Sequence, residues 1–377
     1  MKKNKLIFLS VSLVFMGCTS VNNKAKVVDG GTNSDSLVFV SGSYSSQDEE
    51  GIKIFTFSQE DAGFTYKSGL KGINNPSFLS ELTADNILYS VAEGETDDSF
   101  LYSLKYNPDS MKLTVVSRDR TKAAAPCFVM ADGKRNIVYT ANYSGGSLSV
   151  FGTDSNGNVS LNKNISFTGH GVHKTRQEAP HIHSVYFSPD STLLWVSDLG
   201  TDRIRIINLN DFSHDDAEDI VLPDGSGPRH MCFHSTGKYA YVITELSGDV
   251  LVLNIKDGKN AELIQTVKAD TIGGEGSADI HLSPDEKFLY ASCRIKSDGV
   301  AVFRVSPDNC KLERVGYCLT GKHPRNFAIT PNGKYMLVAC RDENAIEIYE
   351  VNKETGMPVF TGKKIETKAP VCVRWIR

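Results

Sequence analysis

A short polar turn followed by a run of alternating apolar residues recurs along most of the chain. The turn often contains Pro-Asp or Asn-Gly with Lys, and the following run is rich in β-branched and aromatic residues. Alternation with a period of two predicts half-buried β-strands, and no segment sustains the 3.6-residue period of a helix. We therefore predict an all-β protein. The six copies of the phrase occupy 83–93, 131–143, 188–200, 235–248, 283–294 and 330–341.

These copies recur at a nearly constant interval. A seventh run, 37–44, precedes the first copy by a similar distance. Additional short strands are predicted before and after each run, so each interval holds four antiparallel strands, the size of one propeller blade. The sequence predicts a seven-bladed β-propeller in one domain, 37–377, in preference to an open solenoid or two sandwiches. The central residues of the copies are Tyr89, Tyr139, Trp195, Tyr241, Tyr290 and Leu337.

The two ends of this domain complement each other. The first blade begins at Leu37 without the strand that precedes the turn in every other blade, and 370–375 resembles that missing strand. We therefore expect the C-terminal strand to join the first blade and close the ring. Closure removes an open sheet edge that could pair with another chain.

The N-terminus carries an export pattern. Three lysines within the first five residues precede an apolar run at 6–16, which is too short to span a bilayer as a helix. The following Gly-Cys pair resembles a bacterial lipobox, so we predict a lipoprotein signal peptide at 1–17 and lipidation of Cys18. A polar segment at 18–36 is predicted to be a flexible tether. The expected location is the cell envelope, facing the periplasm or on the outer membrane; the alternative is a disordered leader on a cytoplasmic protein.

Composition excludes several classes of protein. Apolar residues make up 40% of the chain and charged residues 23%, which fits a globular protein and neither a disordered chain nor a polytopic membrane protein. The net charge of −4 gives no global basic field, so no nucleic-acid partner is expected. The cysteines are scattered without a C-x-x-C pair, which predicts buried thiols and no zinc site. Cys310 and Cys318 could pair across a hairpin.

Candidate chemistry begins with two histidines at the entrance of one blade. His181 and His183 alternate within Ala-Pro-His-Ile-His-Ser, so an extended strand would place them on one face. They could be a general base and a supporting imidazole, or two structural residues bonded to backbone. A metal pair is a third reading, but no third and fourth ligand are assured.

A second cluster opens the next blade and ends its second strand. Arg229 and His230 follow Gly-Pro, and Glu245 comes directly after an apolar strand. A carboxylate there is costly to bury unless it is paired, and Arg229 is its natural partner across one hairpin. The pair could serve catalysis or be a structural salt bridge.

Further polar residues occupy comparable positions in other blades. Arg294 and Asn142 end strands that correspond to the strand before Glu245. Arg325 opens its blade as Arg229 does. Arginines that converge on one channel mouth would bind a carboxylate or phosphate, although each could instead be a rim charge facing water. Clustering of Arg229, Glu245 and Arg294 would favour catalysis over simple binding.

Several phrases are similar to those of the seven-bladed propeller lactonase family. They are 125–129, 177–190, 227–248 and 323–340, and the similarity extends from Leu37 to the C-terminus. This family includes propeller-type 6-phosphogluconolactonases and the fungal carboxy-cis,cis-muconate lactonizing enzyme. Its proposed active site holds a His, an Arg, a Glu and a second Arg. The resemblance places these roles on His181, with His183 as the near alternative, and on Arg229, Glu245 and Arg294.

The resemblance implies hydrolysis of a small-molecule sugar lactone, most simply 6-phospho-D-glucono-1,5-lactone, without metal or organic cofactor. His181 would deprotonate water, Glu245 would orient the histidine or the water, and two arginines would hold the substrate anion and offset charge on the carbonyl oxygen. Alternatives are a muconate-type cycloisomerase and a non-catalytic envelope propeller that binds a glycan or a protein. The additional substrate-binding candidates are His183, His230, Arg325 and Asn142.

Overall fold

The computed structural model describes residues 36–376. The predicted signal segment, Cys18 and all of the predicted tether except Ser36 lie outside the described residues. Ser36 itself belongs to the fold, because it pairs with Ser58 as the first residue of the first strand. Within 36–376, no helix is long and apolar enough to cross a membrane.

Seven antiparallel sheets confirm the predicted seven-bladed propeller. We number the blades in chain order from the one that contains the first strand. Blade 1 contains β1 (Ser36–Ser43), β2 (Ile52–Ser58) and β3 (Phe64–Leu70) with the last strand, β27 (Pro370–Ile376); blade 2 contains β4 (Ile87–Ala92), β5 (Phe100–Asn107) and β6 (Lys112–Arg120); blade 3 contains β7 (Pro126–Asp132), β8 (Ile137–Asn142), β9 (Ser147–Thr153) and β10 (Val159–Ser166).

Four more blades complete the ring, and the described residues add only two helical turns, the 3₁₀ helices Asp216–Glu218 and Arg341–Glu343. Blade 4 contains β11 (Ile182–Phe187), β12 (Leu193–Asp198), β13 (Arg203–Asn208) and β14 (Ile220–Val221); blade 5 contains β15 (Pro228–Phe233), β16 (Tyr239–Thr244), β17 (Asp249–Ile255) and β18 (Ala261–Lys268); blade 6 contains β19 (Ile280–Leu282), β20 (Phe288–Cys293), β21 (Gly299–Val305) and β22 (Leu312–Leu319); blade 7 contains β23 (Pro324–Ile329), β24 (Tyr335–Cys340), β25 (Ala345–Val351) and β26 (Pro358–Glu366).

The ring closes as the sequence predicts. β27 pairs antiparallel with β1, with Val38 opposite Ile376 and Ser41 opposite Val373. β27 also contacts β23 of blade 7, just as β11 contacts β7 and β15. These strands are therefore the inner strands of their blades, and they surround the central axis.

In blades 4, 5 and 6 the recurring aromatic residue of the repeat links the blade to the next one. The Trp195 indole N–H donates to the Gly258 carbonyl at 2.7 Å, and the Tyr241 hydroxyl donates to the Cys310 carbonyl at 2.9 Å. The Tyr290 hydroxyl makes the same bond to Gly356 at 3.0 Å. In each case the acceptor lies in the outer hairpin of the following blade. The large ring fills the space between two blades, and the donor at its end supplies a hydrogen bond to a carbonyl that would otherwise lack one.

Blade 2 differs from the prediction of four strands. The predicted inner strand at 76–80 is reduced to a single bridge between Leu79 and Ser90. The Tyr89 N–H donates to the Ser80 hydroxyl at 3.0 Å, so a side chain takes the place of a ladder carbonyl. The segment still follows the inner-strand path, because the Val91 N–H reaches the Phe78 carbonyl.

The cysteines of the described residues are all free thiols. The considered pairing of Cys310 with Cys318 is therefore wrong, whereas the prediction of mostly buried thiols is confirmed. The buried members are Cys127, Cys293, Cys310, Cys340 and Cys372.

Candidate active site

A β-bulge interrupts the inner strand of five blades at the same level. In each, the register shifts around the second residue of the phrase that opens the blade. A bulged residue leaves the ladder unpaired and its side chain is re-aimed, which is why bulges recur beside active sites. The bulged residues are Cys127 in β7, His183 in β11, Arg229 in β15, Arg325 in β23 and the buried, apolar Val371 in β27.

A second set of side chains comes from the first residue after the second strand of each blade. In every blade except blade 6, its backbone N–H bonds to a carbonyl just before the inner strand, as Glu245 does to Gly227 at 2.7 Å and Tyr143 to Ala125 at 2.8 Å. This bond fixes the side chain beside the bulged residues. Members of the set that reach the site are Tyr44, Glu93, Tyr143, Glu245 and Arg294.

Asn142 does not join this site, contrary to the prediction. It is the last residue of β8, one position before Tyr143, and it is fully buried. Its amide donates to the hydroxyls of Ser147 at 3.1 Å and Ser149 at 2.9 Å, so it holds its own blade together. The residue that corresponds to Glu245 in this blade is Tyr143, one position after Asn142. A shift of one residue turns a strand side chain to the opposite face.

Glu245 is the centre of the site. One carboxylate oxygen accepts from Arg229 Nε at 2.8 Å and from Arg294 Nη2 at 3.1 Å, and the other accepts from Arg176 Nη2 at 2.5 Å. Burial raises the pKa of Glu245, but the guanidiniums of Arg294, Arg229 and Arg176 outweigh it and lower the pKa to about 2. The predicted pair of Arg229 with Glu245 is therefore present, and the predicted cluster with Arg294 forms. Glu245 is a fixed anion that organises arginines.

Contrary to the prediction that it holds the substrate anion, Arg229 lies too deep to contact a substrate directly. Its side chain is 1% exposed, and Nη1 donates to the Ala278 carbonyl at 2.7 Å. Because its Nε donates to Glu245 and its Nη1 to a backbone carbonyl, this guanidinium holds the carboxylate in place. Arg229 therefore positions Glu245.

Arg294 is also buried but keeps unused donors. Its Nε donates to the Gly276 carbonyl at 2.6 Å, and its Nη1 lies 3.1 Å from His323 Nε2. With the bond to Glu245, three of its five N–H groups are engaged. Burial, followed by the positive charge of Arg294, lowers the pKa of His323 to about 3. This imidazole is therefore neutral and accepts a hydrogen bond from Arg294.

His181 has the geometry of a base. Its Nδ1 lies 3.1 Å from the Tyr143 carbonyl, which can only accept, so Nδ1 carries the hydrogen and Nε2 carries the lone pair. The ring stacks on the Tyr143 ring with centroids 4.4 Å apart. Glu178 lies 3.6 Å from Nε2 and would stabilise the protonated imidazole.

His183 is the deeper imidazole. Its Nε2 lies 3.9 Å from Glu245, its Nδ1 lies 3.7 Å from Cys127 Sγ, and burial lowers its pKa well below the usual range. The regular strand assumed by the expectation that both histidines share one face is absent, because β11 begins after His181 and His183 is bulged. Both rings nevertheless pack on Tyr143.

His230 forms the floor of the site, where the sequence had predicted a substrate contact. It is 3% exposed, and its Nδ1 lies 2.8 Å from Asp279. Its ring packs edge-on against Phe78 and Phe128 of blades 2 and 3, so it crosses the axis and closes the channel. Burial, followed by the charge of Arg229, lowers its pKa to about 4.

Arg325 is the least committed guanidinium at the site. It is half-buried and makes no hydrogen bond or ion pair with any residue in the described range. Its Cζ lies 5.3 Å from the centroid of the Tyr44 ring. The Tyr44 hydroxyl donates to Glu93, 3.0 Å from each carboxylate oxygen.

Several contributors to the site, among them Tyr44, Tyr143, Arg176 and His323, were not predicted from the sequence. Tyr44 and Tyr143 directly follow β1 and β8, so an alignment of the exact strand ends would indicate them. His323 directly precedes the Pro-Arg pair that contains Arg325. Arg176 had no signal, because it lies in a loop between β10 and β11 without any alternating pattern. Its Nη2 reaches the Tyr143 hydroxyl at 3.2 Å as well as Glu245.

Two electrostatic features limit what the site can do. Four guanidiniums line the site, and those of Arg294 and Arg325 keep N–H groups that no residue within 36–376 uses, so the pocket suits an anionic ligand. Within 36–376 the grouping with metal-ligand geometry lies elsewhere, at His214, Asp216 and Asp219. Arg205 Nη1 already pairs with both of those carboxylates, at 2.8 and 2.9 Å.

Comparison with known proteins places this arrangement in context. The sequence model described as "Lactonase, 7-bladed beta-propeller" matches residues 38–375. A protein of Formosa agariphila named 6-phosphogluconolactonase is 35% identical over 317 residues, which cover 81% of this chain and 90% of that protein.

Two solved structures share the fold closely. A putative 6-phosphogluconolactonase from Bacteroides fragilis superposes with a TM-score of 0.87 at 41% identity, covering 93% of this chain and all of that one. The periplasmic gluconolactonase of Pseudomonas aeruginosa superposes with a TM-score of 0.84 at 26% identity, covering 91% of this chain and 99% of that one.

Proposed function

Because the chain belongs to the seven-bladed β-propeller lactonase family, we propose that it hydrolyses 6-phospho-D-glucono-1,5-lactone to 6-phosphogluconate. The observation that carries the chemistry is the ionised Glu245 that gathers three guanidiniums beside two imidazoles. This set can activate water and stabilise charge on an ester oxygen. The clustering of Arg229, Glu245 and Arg294 is what separates a catalytic site from a dispersed binding surface.

His181 is the residue placed to activate water. Its Nε2 lone pair takes a proton while the water oxygen attacks C1 of the lactone, and Glu178 stabilises the resulting imidazolium. His183 is buried and held neutral at neutral pH, so it is better suited to positioning.

The arginines stabilise the negative charge that develops on the C1 oxygen. Arg176 is the accessible donor, with 32% of its side chain exposed and both protein bonds made through Nη2. Arg294 supplies its two unused N–H groups. When the tetrahedral intermediate collapses, the bond from C1 to the ring oxygen breaks, and the ring oxygen takes the proton from His181. The product acid then releases a proton to solvent.

Substitution of the two histidines tests this assignment. His181→Asn is expected to lower kcat by about 100-fold, the usual effect of losing a general base, with KM little changed. His183→Asn is expected to have a smaller effect, and exposed His170→Asn serves as the control. A larger loss in His183→Asn than in His181→Asn would transfer the base role to His183. Net proton release separates hydrolysis from cycloisomerisation, which only moves a proton within the substrate.

The location of the protein is a separate part of the proposal. We place it in the cell envelope, anchored by a lipid on Cys18, on the strength of the basic and apolar leader followed by Gly-Cys. In that location an unphosphorylated sugar lactone is the second candidate substrate, and the similarity to a periplasmic gluconolactonase favours it. Fractionation of cells that express the full chain or Cys18→Ser tests the anchor: the variant is expected to leave the membrane fraction. Equal distribution of the two proteins would contradict it.

A further inference from the structure

Arg325 stands apart from the other three guanidiniums of the site. Arg176, Arg229 and Arg294 are all bound to Glu245, whereas the Arg325 guanidinium has no hydrogen-bond or ion-pair partner among residues 36–376. Taking a charged group partly out of water without a partner is costly. An unpaired guanidinium in the wall of a site has its N–H donors available for a ligand.

The surroundings of Arg325 hold it in place without using its hydrogen bonds. The Tyr44 ring lies under the guanidinium, at 5.3 Å from Cζ, in the geometry of a cation–π contact. Glu93, the nearby carboxylate, accepts the Tyr44 hydroxyl and is not within ion-pair distance of Arg325. The planar N–H fork therefore remains free, which is the form that binds phosphate oxygens in pairs.

Arg325 lies on a different part of the ring from His181 and Glu245. His181 and Glu245 lie on blades 4 and 5, whereas Arg325 lies on blade 7 with Tyr44 of blade 1 beside it. Arg294 of blade 6 connects the two regions through its bonds to Glu245 and His323. A lactone whose carbonyl meets the histidine side therefore extends its far carbon toward Arg325.

We propose that Arg325 binds the phosphate of the substrate and sets the preference for phosphorylated over unphosphorylated lactone. This assignment rests on the proposed lactonase function. It gives Arg325 a role distinct from that of Arg176 and Arg294, which act at the reacting carbonyl, and from that of Arg229, which positions Glu245. Charge supports it, because Arg325 also lowers the pKa values of His183 and Arg294 and so shares their pocket.

The test compares two lactones with the full-length protein and three variants. Initial rates are measured with 6-phosphogluconolactone and with plain gluconolactone, and the ratio of their kcat/KM values is the readout. Arg325→Gln is expected to lower this ratio at least about tenfold, the effect of one lost charge-assisted contact, mainly through KM for the phosphorylated lactone. Glu93→Gln removes a negative charge near the phosphate and is expected to raise the ratio. Arg341→Gln, on the rim in an ion pair with Asp342, controls for net charge.

The outcomes separate this assignment from the function on which it rests. No hydrolysis of either lactone by the wild-type protein would contradict the proposed function. Hydrolysis with a ratio unchanged in Arg325→Gln, including equal slowing on both lactones, would contradict the phosphate assignment alone. A fall of the same size in the kcat/KM ratio of Arg341→Gln would also contradict the phosphate assignment. The preference would then depend on the overall positive charge of the rim and not on Arg325.

Discussion

Replacing Glu245 with glutamine should cost both activity and stability, because this carboxylate is the one anion among three guanidiniums. Glutamine is close in size and can accept a hydrogen bond, so the change removes charge with little change in volume. The variant leaves Arg176, Arg229 and Arg294 facing one another without the compensating charge. Loss of one member of a buried ion pair typically costs about 3–5 kcal/mol.

The pKa of Glu245 gives an independent magnitude. Its value of about 2 lies below the ordinary 4.5, and its side chain is only 8% exposed, so solvent screening is weak. At 1.4 kcal/mol per pKa unit the ionised carboxylate contributes about 3 kcal/mol to the free energy of unfolding. Because the folded-state pKa is the lower one, this contribution is complete above about pH 4.5 and is lost as the pH falls toward 2.

Urea unfolding measures this contribution directly. At pH 7 the Glu245→Gln protein is expected to be less stable than the wild type by about 3 kcal/mol, and at pH 3 by less than half of that. Exposed Glu366→Gln is the matched control and is expected to change stability by no more than about 0.5 kcal/mol. A Glu245→Gln effect below about 1 kcal/mol at pH 7, or one equal at both pH values, would refute the view of Glu245 as a fixed anion.

Three further changes test other parts of the structure. Arg176→Gln should lower kcat by about 100-fold with little loss of stability, because the side chain is partly exposed and lies in a loop; initial rates and urea unfolding together check this. Tyr241→Phe removes the hydroxyl that caps the Cys310 carbonyl and should cost about 1–2 kcal/mol in urea unfolding; no loss would disprove the linking role of that bond. Val373→Asp places a charge on a buried position of the closing strand, 1% exposed, and should abolish soluble folded protein as judged by gel filtration; a folded variant would contradict closure by β27.

The architecture was predictable because it rests on repetition. Alternating apolar runs at a nearly constant interval established the blade number, and the unmatched ends of the domain established the closing strand. The pair of Arg229 with Glu245 was predictable for a different reason: a charge after an apolar strand requires a partner, and one hairpin brings the two together.

The site was less predictable, because single-residue register decides which side chains enter it. Asn142 was chosen where Tyr143 belongs, and the alternation argument for His181 and His183 failed at a bulge. Neither bulges nor the exact end of a strand leave a signal in one sequence. Arg176 reaches Glu245 from a loop, and long-range contacts of this kind arise only when the blades assemble.

The central claim is that this pocket hydrolyses a phosphorylated sugar lactone. It is tested most directly by proton release from freshly prepared 6-phosphogluconolactone at constant pH with the purified full-length protein. The account predicts release well above the spontaneous rate, saturable in substrate. Release no faster than the spontaneous reaction, from protein shown to be folded, would contradict it.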